Sequence, residues 1–106
     1  MANFEIRREG VCATVIPSGD VVASSVADLR PVLRDLVRSG AREVILDLGH
    51  AEMLDSMGIG LLLSAHNSVA QTGGTFSVIE ASPEIVELLY SMRVHQHFRV
   101  AKRGEG

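Results

Sequence analysis

The sequence predicts a single α/β domain: a mixed, mostly parallel central sheet with an N-terminal β-hairpin and about three helices. Three observations lead there. Strand-like and helix-like patterns alternate along most of the chain, as they do when parallel strands are joined by helical crossovers. Two β-prone runs open the chain with only a turn between them, "FEIRR" and "VCATVIP". "EVILDL" at residues 43–48 is a continuous apolar run bounded by turn residues, the pattern of a strand covered on both faces. At 106 residues the chain has room for one core and one domain.

Each element follows from its own residues. Glu9-Gly10 separates the first two runs and makes them a hairpin. "SGD" at residues 18–20 is a turn. From Ser25 onward, Val26, Leu29, Leu33, Leu36 and Val37 recur at helical spacing. Ser25 with Asp28 has the form of a capping box, with Asp in place of the usual Glu. Pro31 falls inside this pattern and is expected to kink the helix or delay its start. Gly40 ends it. After the strand at 43–48, a stripe of Ile59, Leu62, Leu63, His66, Val69 and Ala70 marks a second helix, closed by Gly73-Gly74. "TFSVIEA" is a further strand. "SPEIVELLYSM" starts a third helix, with Ser82 as N-cap, Pro83 at the first helical position and Glu84 in the first turn. "HFRV" is a last short strand. The expected order is β-β-α-β-α-β-α-β, with the domain over residues 1–100. "AKRGEG" at 101–106 has too little apolar content to pack and is expected to be a frayed tail.

Composition narrows the function. The formal net charge is -3 and the basic residues are scattered, which argues against nucleic-acid binding through clustered Lys and Arg. Tryptophan is absent and aromatics make up 4%, so Val, Leu and Ile fill the core. Cys12 is the only cysteine, which rules out an intramolecular disulfide and a Cys₂ or Cys₄ zinc site; it is expected in the core. "MANFEIRREG" lacks the apolar region of a signal peptide, and no run approaches the ~18 residues of a membrane span, so the chain reads as cytoplasmic with no membrane insertion.

The segment "LDSMGIGLLL" carries the functional signal. It places Asp55-Ser56, then Met57, Gly58 and Gly60, where a buried strand hands over to a helix. The carboxyl ends of parallel strands are the usual seat of function in α/β folds. A helix N-terminus offers free N–H groups and a positive dipole end, so an anion is stabilised there. Phosphorylation of Ser56 would add about -1.5 to -2 charge at neutral pH. Gly58 and Gly60 leave the surface low enough for a partner's approach. Plain capping is the simpler reading: Asp55 or Ser56 accepts a first-turn N–H, and the glycines are close-packing positions.

"VILDLGHAEMLDSMGIGLLLSAHNSVAQTGG" resembles the signature of the STAS domain, in particular of the anti-sigma factor antagonists. Those proteins carry an apolar strand ending in D-L-S, a short segment, D-S-[ST]-G-[LI]-G, an apolar helix and a Gly pair. "SPEIVELLYSM" is similar to the S-P-x-V-x-x-L-F motif that follows, and "SGDVVASSVADLR" to an earlier G-E-[IL]-D segment with its helix. The resemblance covers nearly the whole chain and implies a STAS-like single domain that is a binding module, not an enzyme, with no cofactor and no metal. It implies a bacterial phosphoprotein that regulates transcription by partner switching. Ser56 corresponds to the serine that the anti-sigma factor, a GHKL-type serine kinase, phosphorylates. The unphosphorylated antagonist binds that kinase and frees the sigma factor; phosphorylation breaks the complex and a PP2C-type phosphatase restores it. Asp55 matches the acid before the serine and Asp47 the acid of the strand end, a supporting position. Asp20, Asp55, Ser56, Met57, Gly58 and Gly60 form the implied partner-binding set. Two positions depart from the pattern. Met57 replaces a second hydroxyl residue and puts a flexible apolar side chain on the docking surface. Gly19-Asp20 matches G-E, but Val22 stands where a second acid is usual.

Other classes fit less well. No glycine stands two residues before Ser56, as a hydrolase nucleophile elbow needs. No Gly-Lys-Ser/Thr phosphate loop is present. His50 and His66 are near Ser56 in sequence, but His66 falls on the apolar stripe as a packed histidine. His95 and His97 lack the further ligands a metal needs. The remaining rival is a non-switching STAS adaptor in a cytosolic scaffold or an ABC transporter complex. Retention of Asp55-Ser56 followed by Gly58 favours the switch.

Overall fold

The computed structural model describes residues 3–105. The elements are β1 (Phe4–Glu9), β2 (Cys12–Pro17), α1 (Ala23–Arg38), β3 (Glu43–Asp47), α2 (Ser56–Ala70), β4 (Thr75–Ala81), α3 (Pro83–Ser91), a 3₁₀ turn (Val94–Gln96) and β5 (Arg99–Lys102). The order is the expected one. The five strands lie in the sheet in chain order, β1-β2-β3-β4-β5. β1 pairs antiparallel with β2, and every later pair is parallel.

That strand order decides where the core is. Three crossovers step the same way across the sheet, and right-handed crossovers then set all three helices on one face. Ala13, Val15, Val44, Leu46, Phe76 and Val78 point to that face and are buried. They meet Val26, Leu29, Leu33 and Leu36 of α1, Leu61, Leu62, Ala65 and Val69 of α2, and Ile85 and Leu89 of α3. The opposite face has no helix. Its residues Cys12, Thr14, Ile16, Ile45 and Ser77 are only half-buried. β3 is therefore not covered on both faces: its burial alternates, with Val44 and Leu46 inside and Ile45 on the open side. Cys12 is likewise outside the core, in register with Glu43. Desolvation raises its thiol pKa, and the hydrogen bond and charge of Glu43 add to this.

Local rules set most boundaries. Ser82 Oγ accepts the Ile85 N–H at 3.2 Å, and Pro83 opens α3. Gly40, at φ +100°, ends α1, with Ala41 N–H donating to Leu36 O. α1 departs from expectation. It starts at Ala23, so Ser25 sits in the first turn instead of capping it, and its Oγ accepts the Val22 N–H at 3.0 Å. The helix runs through Pro31, so the proline does not delay its start. Residues 101–105 are not a frayed tail. Ala101 is fully buried within β5 and Arg103 N–H donates to Ala81 O, while Gly106 lies outside the described residues. Among the described residues no helix is long and apolar enough to cross a membrane.

Candidate functional site

The loops that leave the carboxyl ends of β2 and β3 lie side by side. Val21 and Leu54 form a parallel bridge, and Val21 N–H donates to Met53 O at 3.2 Å. Two carboxylates lock this pair of loops. Asp20 Oδ1 accepts the N–H groups of Glu52 at 2.8 Å and Met53 at 3.0 Å. Asp55 Oδ1 accepts the Gly58 N–H at 2.9 Å and is the N-cap of α2. Its other oxygen accepts the Ala23 N–H of α1 at 3.0 Å. One side chain thus occupies the N-termini of two helices, where the dipoles favour a negative charge. The Gly58 N–H is the main cause that holds the Asp55 pKa below the ordinary carboxylate value. Desolvation opposes it, and the Ala23 N–H assists.

Asp47 works one step earlier. Its Oδ1 accepts the Gly49 N–H at 2.8 Å, which turns the chain out of β3. From the other side Arg103 reaches under the loop. Its Nη2 donates to Leu48 O at 3.2 Å and Ala51 O at 3.3 Å, and Nη1 lies 3.6 Å from Glu52 Oε1.

Ser56 stands on this base as the first residue of α2. Asp55, not Ser56, does the capping. Ser56 is exposed, and no hydrogen bond engages its hydroxyl among the described residues. Met53 and Met57 flank it in sequence with 58% and 49% of their surfaces exposed. Asp20, Asp55, Ser56 and Met57 therefore lie on two adjoining loops at one end of the sheet. Val22 lies beside them, half-buried just before α1.

The two glycines separate. Gly60 is exposed, and a Cβ built on it meets nothing within 4 Å. Gly58 is buried; a Cβ there would run into the Val21 carbonyl oxygen and sit 2.8 Å from Leu54 Cδ1. Its place on an open docking face is corrected: it is a close-packing position, because α2 crosses the Val21 backbone at that point. His50 is exposed in the loop. His66, further along α2, and His97 lie away from Ser56 beside the first residues of β4, their rings 6.2 Å apart.

Sequence reasoning missed two contributors. Met53 was legible only as a loop residue; it is exposed three residues before Ser56, with its backbone N–H held by Asp20. Arg103 had no signal at all, because it sits in a segment whose composition reads as a tail.

The STAS domain family model matches residues 3–104. A Thermotoga maritima protein described as an anti-sigma factor antagonist superimposes with a TM-score of 0.87 at 15% identity, over 93% of this chain and 86% of that one. The Bacillus cell fate determinant SpoIIAA in its phosphorylated form gives 0.75 at 17% identity, over 97% and 95%. Part of a murine anion transporter, Slc26a9, gives 0.74 at 15% identity, over 92% of this chain but 17% of the transporter. At such identities these likenesses establish the fold.

Proposed function

Since the chain belongs to the STAS domain family, we propose that it is an anti-sigma factor antagonist, a binding module switched by phosphorylation of Ser56. The observation that carries this reading is the first turn of α2: an exposed serine with a free hydroxyl on a base fixed by Asp20 and Asp55. A hydroxyl committed to capping would be poorly placed to accept a phosphoryl group. This one is released from capping by its neighbour Asp55.

In this reading Asp20, Asp55, Ser56, Met57 and Gly60 define the face that a GHKL-type serine kinase, the anti-sigma factor, engages in the cytoplasm. Met53 joins them. Asp47 and Gly58 support that face from below. Exposed methionines supply adaptable apolar contact. Unphosphorylated protein binds the kinase; transfer of the ATP γ-phosphoryl group to Ser56 Oγ releases it; a PP2C-type phosphatase resets the cycle.

The test is phosphate mapping after incubation with the serine kinase of the same regulatory system and ATP. One phosphate at Ser56 is expected, and none in Ser56→Ala. Phosphate elsewhere, or equal labelling of the variant, refutes the switch. Likeness to part of a transporter favours a second reading, a non-switching adaptor of a scaffold or ABC transporter complex. That reading predicts no labelling and a stable complex with a transporter or scaffold subunit.

A further inference from the structure

At the amino ends of the parallel strands, opposite Ser56, the molecule has a second polar concavity. β4 begins at Thr75, but β5 joins it only at the Ser77–Arg99 pair. This offset leaves a notch of about 380 Å³ beside the first residues of β4. His66 of α2, His97 and Phe98 of the last crossover and Arg99 at the start of β5 wall it, together with Thr75 and Ser77.

The polar groups in the notch lack partners of their own. His66 Nδ1 is fully buried with no hydrogen bond among the described residues. The side chains of Thr75, Ser77, His97 and Arg99 also make none there. Buried polar groups are almost always hydrogen-bonded, so the unmet nitrogen of His66, a residue that lines the notch, marks it as a place where a partner from outside the chain would be accommodated. Two imidazoles, a guanidinium and two hydroxyls are a donor-rich set. Glu43 is the one carboxylate in the lining, and it is engaged with the Cys12 thiol on the neighbouring strand. Phe98 packs edge-on against Phe76 at 4.9 Å and lies 5.8 Å from the His66 ring, which gives the notch an apolar wall. Among the described residues no three His, Cys, Asp or Glu gather to hold a metal ion.

We propose that this notch binds a small organic anion, a phosphate or carboxylate group held by His66, His97 and Arg99 with its apolar part against Phe98. The site is separate from the Ser56 face and does not depend on the antagonist reading.

The test is an NMR titration of the full chain with phenyl phosphate and, separately, with benzoate; neutral benzyl alcohol is the control. Saturable amide shifts are expected at residues 74–77 and 97–99 with at least one anion. The stronger of the two identifies the head group. Arg99→Gln, an exposed position, should weaken binding by about tenfold, as loss of a hydrogen bond to a charged group does. His66→Gln should do the same, and a thermal melt of each variant verifies folding. No shifts in this region, equal shifts with benzyl alcohol, shifts confined to residues 55–58, or unchanged affinity in a folded Arg99→Gln variant would overturn the proposal.

Discussion

Gly58→Ala and Gly60→Ala are the same chemical change two residues apart, and the structure gives them opposite signs. Alanine in a helix interior is favoured over glycine by roughly 1 kcal/mol. At Gly60 nothing opposes that gain, since the new methyl has open space. Gly60→Ala should therefore raise stability by up to ~1 kcal/mol. At Gly58 the methyl would fall under 3.0 Å from both the Val21 carbonyl oxygen and Leu54 Cδ1. Leu54 can rotate, but the Val21 carbonyl is backbone. To restore an ordinary contact of roughly 3.5 Å, α2 must draw back by about an ångström. That movement pulls on the Val21–Leu54 bridge and on the Asp55 hydrogen bond to Ala23. Overpacking of this kind costs typically 1–3 kcal/mol. Taking ~2 kcal/mol, Tm should fall by roughly 8 °C or more for a domain of this size. Urea or thermal denaturation of both variants beside the wild type reads the difference. A Gly58→Ala variant as stable as Gly60→Ala would refute the packing argument and return Gly58 to the docking face.

Four further outcomes are expected. Asp55 has a lowered folded-state pKa, so its contribution is present above its unfolded value and lost as pH falls through the folded one. Asp55→Ala should thus have a lower urea midpoint than wild type at pH 7, and the gap should close in acid below the folded pKa; a gap independent of pH would remove Asp55 from this role. Asp20→Ala should speed amide exchange at Glu52 and Met53, where its carboxylate holds the N–H groups, and unchanged protection would contradict that. Truncation after Val100 should destabilise the domain strongly, because it removes buried Ala101 and the Arg103 clamp, whereas truncation after Gly104 should be tolerated. Thermal melts decide, and equal melting of the two truncations would restore the frayed tail. Phosphorylation at Ser56 should weaken partner binding by tenfold or more without unfolding the domain, which a binding titration beside amide exchange reads.

Local signals in the sequence were read correctly where the physics is local. Ser82-Pro83-Glu84 marks the start of α3 because cap, first turn and dipole partner are consecutive residues. The placement of Asp55-Ser56 at a strand-to-helix handover followed from the same kind of reading. The misses are non-local. Ser25 resembled an N-cap, but the Ala23 N–H of that helix is satisfied by Asp55, 32 residues downstream. The coverage of β3 depends on strand order, which six apolar-looking residues do not encode. Residues 101–103 look like a tail because their partners, Ala81 and the 48–51 loop, are far away in sequence. The contrast between Gly58 and Gly60 was readable in part. At 100° per residue, positions two apart face nearly opposite sides of a helix, so both glycines could not serve one surface.

The rigidity of the base determines how a charge at Ser56 can act. Asp55 already has both oxygens committed, one to each helix, and Asp20 pins the loop beside it. A phosphate on the first residue of α2 gains from the helix dipole by about 0.3–1 kcal/mol and is repelled by Asp55. Neither effect rivals a domain stability of roughly 5–15 kcal/mol, so the phosphate has no means to unfold the site. An interface responds differently. A dianion pressed against an apolar or acidic partner surface, between Met53 and Met57, must shed water without a mate, which costs several kcal/mol, roughly. Each ~1.4 kcal/mol is a tenfold loss of affinity. The switch is therefore expected to be a change of surface on an unchanged fold. Ser56→Asp, with less charge, should act in the same direction and more weakly. Amide exchange of both forms, run beside a binding titration against the kinase, separates the routes. A broad loss of protection in α1 and α2 on phosphorylation, or equal affinity of the two forms, would show that the charge does not work by altering this face.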